Sequence, residues 1–102
     1  MTMEKRAEIL GRSVAARLFA QMLNPKYRGP SFTWDGFPQM CQGLARSQAW
    51  QANRVSVHDR NAAKLEEAAA RGAEAAAQEF LEESQVAMWM KLGKEPEAKE
   101  PM

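Results

Sequence analysis

From Ala62 to Ser84 the chain reads AAKLEEAAARGAEAAAQEFLEES, a stretch of strong helix formers interrupted only by Gly72. Alanine loses no side-chain entropy on entering a helix, and Leu, Glu, Gln, Lys and Arg lose little, so intrinsic propensity favours a helix interior throughout. With Gly93 as the expected C-terminal cap and Ser56 or Asp59 capping the start, a third helix is expected from about His58 to Leu92. Those thirty-five residues, at about 1.5 Å of rise each, make a rod of roughly 50 Å, whereas a compact chain of this length is only about 34 Å across. A helix longer than its own globule dominates the architecture.

The rest of the chain supplies short elements to pack on that rod. Residues 3 to 23 are expected to form a first helix, with Thr2 as N-cap, Glu4 in the first turn and Asn24-Pro25 as the stop. At 100° per residue, Ala7, Leu10, Gly11, Val14, Ala15, Leu18 and Met22 share one arc, and Ile9, Ala16, Ala20 and Leu23 form a second. Gln39 to Asn53 reads as a weakly amphipathic second helix with Met40, Cys41, Leu44 and Ala45 inward, and Val55-Ser-Val57 as a link. Only seven residues are β-branched, too few for a sheet. The expected fold is an all-α single domain over residues 1–93, with short N-terminal helices on one long C-terminal helix and a disordered, proline-rich and charged tail over residues 94–102.

Small residues recur at intervals of four: Ala7, Gly11 and Ala15 in the first helix, Ala68, Gly72 and Ala76 in the third. Each glycine costs about 1 kcal/mol against alanine inside a helix, so Gly11 and Gly72 call for a local reason, and close approach of another backbone is the simplest. The third helix also carries two apolar arcs, Leu65, Ala69, Gly72, Ala76, Phe80 and Ala87 on one and Ala63, Ala70, Ala77, Leu81, Met88 and Leu92 on the other. If two short helices cover one arc, a second copy of the chain must cover the other, so a homo-oligomer is expected, most simply a two-fold dimer with Gly72, Ala76, Ala77, Leu81, Met88 and Leu92 at its seam. The alternative is a break near Gly72 that folds the helix back into a monomeric bundle.

Charge is distributed unevenly. Residues 1–54 carry a formal +5 and residues 55–102 a formal −4, which leaves the net +1. Between the first two helices, NPKYRGPSFTWDGFP combines Tyr27, Phe32, Trp34 and Phe37 with Lys26 and Arg28. Prolines and glycines exclude a regular helix there, and Asp35-Gly36 is a natural turn. Aromatics and arginines dominate binding hot spots, so Arg17, Lys26, Tyr27, Arg28, Phe32 and Trp34 are the candidate partner-binding residues. The same aromatics can instead fold back over the core, and a split is expected with Trp34 and Phe37 inward and Lys26, Tyr27 and Arg28 outward. Met88-Trp89-Met90 is either the dimer seam or a second contact surface.

Catalytic equipment is sparse. The chain has one cysteine, Cys41, and one histidine, His58, so neither an internal disulfide nor a multi-histidine metal site is available. Gly29, Gly36 and Gly43 do not form a phosphate-cradling loop, and no dinucleotide fingerprint occurs. No enzyme activity, cofactor or metal is expected, and with no secretory or transmembrane segment the expected location is the cytoplasm. In style the chain resembles small accessory proteins of bacteriophages and other mobile elements, including inhibitors of bacterial defence complexes; that resemblance implies a helical protein that occupies a larger partner in a host cytoplasm. The function expected is protein binding through the aromatic-basic loop. The alternative is a small oligomeric nucleic-acid binder using the same loop, although no helix-turn-helix, RRM or zinc signature is present.

Overall fold

Thr2 opens the first helix as expected: its side chain accepts a hydrogen bond from Lys5 N at 3.1 Å, and α1 runs Met3–Met22. The computed structural model describes residues 2–53 and 60–93. After a loop, α2 spans Phe37–Asn53, two residues earlier than expected, with Pro38 in its first turn, where the missing N–H has no intrahelical partner to lose. The third segment forms α3, Ala62–Glu83, and α4, Gln85–Leu92, closed by Gly93 in the left-handed conformation at φ 79°. The expected link at Val55–Val57, the caps at Ser56 and Asp59, the helix start at His58 and the tail from Lys94 lie outside the described residues.

The expectation of one helix to Leu92 is corrected at Ser84, not at Gly72. Ser84 is extended (φ −110°, ψ 176°), and its side chain accepts from Val86 N at 3.2 Å, starting α4 on a new axis. That turn lets Val86 become fully buried and Trp89 pack on the core. Gly72 leaves α3 uninterrupted because its missing side chain is used for packing.

The helices form an up-down-up bundle 52 Å long and about 22 Å across, in which α1, α2 and α3 all pack on one another. α1 and α3 are parallel. Thr2 and Met3 share a cleft with Asn61 and Leu65 at one end, Gly11 meets Ala69 in the middle, and Phe19 stacks on Phe80 toward the other end. A Cβ placed on Gly11 would run into the Ala69 carbonyl oxygen and stand 2.8 Å from Ala73 N; one on Gly72 would run into the Glu8 carbonyl oxygen and stand 2.9 Å from Glu8 C. The two glycines are therefore reciprocal notches, each receiving the other helix's backbone, which places Cα–H groups against carbonyl oxygens. Close approach, the reason expected for both glycines, is realised within one chain.

The same packing corrects the two-arc argument. Ala69, Gly72 and Ala76 on one arc and Ala70, Ala77 and Leu81 on the other are all buried, because α1 and α2 together embrace α3 from both sides. On α1 the arc from Ala7 to Met22 faces the core, whereas Ile9, Ala16 and Ala20 are exposed. An ion pair joins α1 to α3 across the surface, Arg12 Nη2 to Glu79 Oε2 at 3.0 Å. Both side chains are about half exposed, so the pair contributes under about 1 kcal/mol.

Candidate functional site

Short-range bonds fix the loop between α1 and α2. Asn24 Oδ1 accepts from Lys26 N at 3.0 Å, closing a 3-10 turn over Pro25–Tyr27, and Phe32 N donates to Gly29 O at 3.1 Å. Thr33 Oγ1 accepts from Gly36 N at 3.1 Å, and Trp34 O accepts from Phe37 N at 3.1 Å, so the expected Asp35-Gly36 turn leads directly into α2. Asn and Thr side chains here supply the partners that a loop backbone otherwise seeks from water.

Beneath the loop lies an aromatic cluster gathered from every part of the chain. Trp34 is its hub, with ring centroids 4.9 Å from Phe32, 5.5 Å from Phe37, 5.9 Å from Phe19 and 6.3 Å from Trp89. Phe19 also stacks on Phe80 at 4.9 Å with 18° between planes, while the other close pairs are edge-on or tilted, as ring quadrupoles favour. Trp34 is buried and Phe37 fully so, and Lys26 and Tyr27 are exposed, as the expected split has them, whereas Arg28 is half-buried; Trp34 thus moves from the list of contact residues to the floor beneath them. Sequence reading did not join Phe19, Phe80 and Trp89 to this loop; the available signal was that Phe19 and Phe80 occur near the C-terminal ends of two core-facing arcs.

On that floor stand the basic residues. The Arg28 guanidinium lies 5.9 Å from the Phe32 ring centroid and 5.7 Å from that of Trp34, and Lys26 Nζ lies 5.9 Å from the ring of Tyr27. Tyr27 is 53% exposed. Beside it opens a cleft of about 300 Å³, lined by Met22, Tyr27, Ser31, Phe32, Thr33 and Met40. The site thus offers planar apolar surface, two cations and a small recess on a fixed base. Arg17 does not join it by contact; its Nη2 donates to Gln48 Oε1 on α2 at 3.4 Å.

The residues expected at an oligomer seam divide. Gly72, Ala76, Ala77 and Leu81 are buried inside the single chain, where α1 and α2 fill the space assigned to a partner copy. Met88 and Leu92 on α4 are 65% and 68% exposed.

Cys41 is buried in the core, and burial pushes its thiol up to about 12, so it stays protonated near neutral pH and packs as a small apolar side chain. Its possible partner His58 lies outside the described residues. Among the described residues no group of three or more His, Cys, Asp or Glu is placed to hold a metal ion, and no helix is long and apolar enough to cross a membrane. No protein-family model, curated protein or solved structure matches the chain.

Proposed function

We propose that this chain is a non-enzymatic binding module that occupies a larger protein through the α1–α2 loop, in the manner of the accessory and inhibitor proteins it resembles in style. One observation carries the reading: exposed Tyr27 with Lys26 over its ring, next to Arg28 spread over the rings of Phe32 and Trp34. Tyrosine and arginine are the side chains most often found at hot spots, and here both sit on a base already packed into the core. Binding through a pre-ordered loop avoids much of the entropy cost of fixing flexible side chains. The recess beside Tyr27 suits one apolar side chain of the partner, with Lys26 and Arg28 favouring acidic groups around it.

Co-purification from the native host tests this reading, comparing the wild type with Tyr27→Ala combined with Lys26→Glu. Expected is a protein partner retained by the wild type and lost by the variant, which keeps the same melting temperature. Retention by both overturns the loop as the site. Binding of single-stranded oligonucleotide by wild type at low salt, falling steeply as salt rises, replaces this reading with the nucleic-acid alternative.

We infer in addition that the chain pairs with a second copy of itself. Support for this comes from α4, an eight-residue helix joined to α3 through Ser84 with neither proline nor glycine at the junction, and not from the glycine notch, which α1 and α3 share within one chain.

A further inference from the structure

We propose that α4 exchanges between copies of this chain: when Ser84 becomes helical, α3 and α4 form one continuous helix, and the apolar face of α4 docks on the aromatic cluster of a second copy, displacing that copy's own α4. The proposal rests on the self-association inferred above and gives it a surface.

The first reason is the weakness of the break. Proline or glycine would hold a helix apart by sterics or entropy, but the junction reads Leu81-Glu82-Glu83-Ser84-Gln85-Val86-Ala87-Met88 and contains neither. At the junction itself the bent form is held only by local bonds of Ser84, whose Oγ accepts from Val86 N at 3.2 Å and whose carbonyl accepts from Ala87 N at 3.0 Å; the rest of its stability comes from Val86 and Trp89 packing on the core, contacts that the exchanged form keeps. Returning Ser84 to helical dihedrals restores the i to i−4 bonds across the junction that the break forfeits. The second reason is length. Eight residues are too few for a helix to persist alone in water, so α4 needs either a docking surface or continuity with α3, and the exchanged form supplies both.

The third reason identifies the occupant. Val86 is fully buried and the Trp89 ring stands 6.3 Å from that of Trp34, so the surface that accepts α4 is complementary to it already. A site that binds a segment of its own chain binds the identical segment of a second copy, and the exchange closes as a two-fold dimer. Met88 and Leu92 point away from this contact in the bent form and are exposed; they are not required for the exchange.

Sedimentation of the full chain over a concentration series is the test, with three variants whose fold is checked by circular dichroism. Ser84→Ala removes the cap and favours a continuous helix; each of the two hinges shifts roughly fivefold, so the dimer dissociation constant is expected to fall about 25-fold. Gln85→Pro fits the first turn of α4, holds Ser84 extended and forbids the continuous helix, so the dimer is expected to be lost. Met88→Glu with Leu92→Glu is expected to leave the dimer intact. A Ser84→Ala chain that stays monomeric at several hundred micromolar overturns the proposal, as does a Gln85→Pro chain that dimerises like wild type. Loss of the dimer in the double glutamate variant also overturns it and assigns pairing to the outer face of α4. The loop reading stands or falls separately, because none of these variants touches Lys26, Tyr27 or Arg28.

Discussion

The middle of the bundle and its aromatic end solve the same packing problem in opposite ways. At the Gly11–Gly72 crossing the helices touch through backbone, and what holds them together is the absence of side chains. At the other end, helices and loop are held apart by Phe19, Trp34, Phe37 and Phe80, and six rings fill the gap. Backbone contact is short and cannot yield, because each carbonyl is fixed by its own helix. Ring contact is extensive and can adjust, because side chains rotate and neighbours shift. The α1–α2 loop is therefore seated on the adaptable end, while the notch fixes the parallel alignment of α1 and α3 that brings Phe19 beside Phe80.

The sharpest break of this comparison is at Gly72. Replacement by Leu pushes a branched side chain into the Glu8 carbonyl, and α1 must part from α3; a loss of at least about 3 kcal/mol is expected in urea unfolding. Gly72→Ala is the more diagnostic change. Helix propensity alone makes it stabilising by about 1 kcal/mol, whereas the notch makes it destabilising by about 1–3 kcal/mol. A more stable alanine variant would show that the helices separate without cost.

Phe37 tests the other end. It is fully buried and contacts both Phe19 and Trp34, so Phe37→Ala is expected to lose about 3 kcal/mol. Phe37→Leu, which keeps most of the volume, is expected to lose only about 1 kcal/mol. Adding a single carbon at the notch thus costs at least as much as exchanging a whole ring for leucine at the aromatic end. Equal tolerance at the two positions, measured by the same unfolding experiment, would dissolve the distinction.

Much of this contrast was legible in the residues, and the part that was not has a physical cause. Thr2 and Gly93 announced their caps because capping chemistry is local. Gly11 and Gly72 announced close contact because a helical glycine has a cost that needs an offset. Their spacing did not reveal whose backbone fills the notch, since a helix of the same chain and one from a second copy leave identical patterns. Ser84 was silent for a related reason: its flanks favour helix, and the break exists because tertiary packing of Val86 and Trp89 outweighs the lost helical bonds. In the loop, Asn24, Thr33 and Gly36 marked turns, but Trp34 as the hub depends on Phe19 and Trp89, which are remote in sequence.

Cys41 refines the comparison at the level of one atom. It lies one helical turn after Phe37 on α2, and burial raises its thiol from 9.0 to about 12. The native state therefore keeps the proton over a range in which the unfolded chain loses it. Because the folded value is the higher one, the stabilisation is complete below pH 9 and is lost as pH rises from 9.0 toward about 12. By pH 10 the unfolded state gains about 1 kcal/mol, which lowers the melting temperature by about 5 °C in a chain of this size. The comparison is with Cys41→Ala, which differs from wild type only in lacking this thiol. Wild type is expected to lose about 5 °C more than the alanine variant between pH 8 and pH 10. A parallel pH dependence in the two proteins would mean that the thiol ionises in the folded state, and that the core beside Phe37 admits water as the glycine notch cannot.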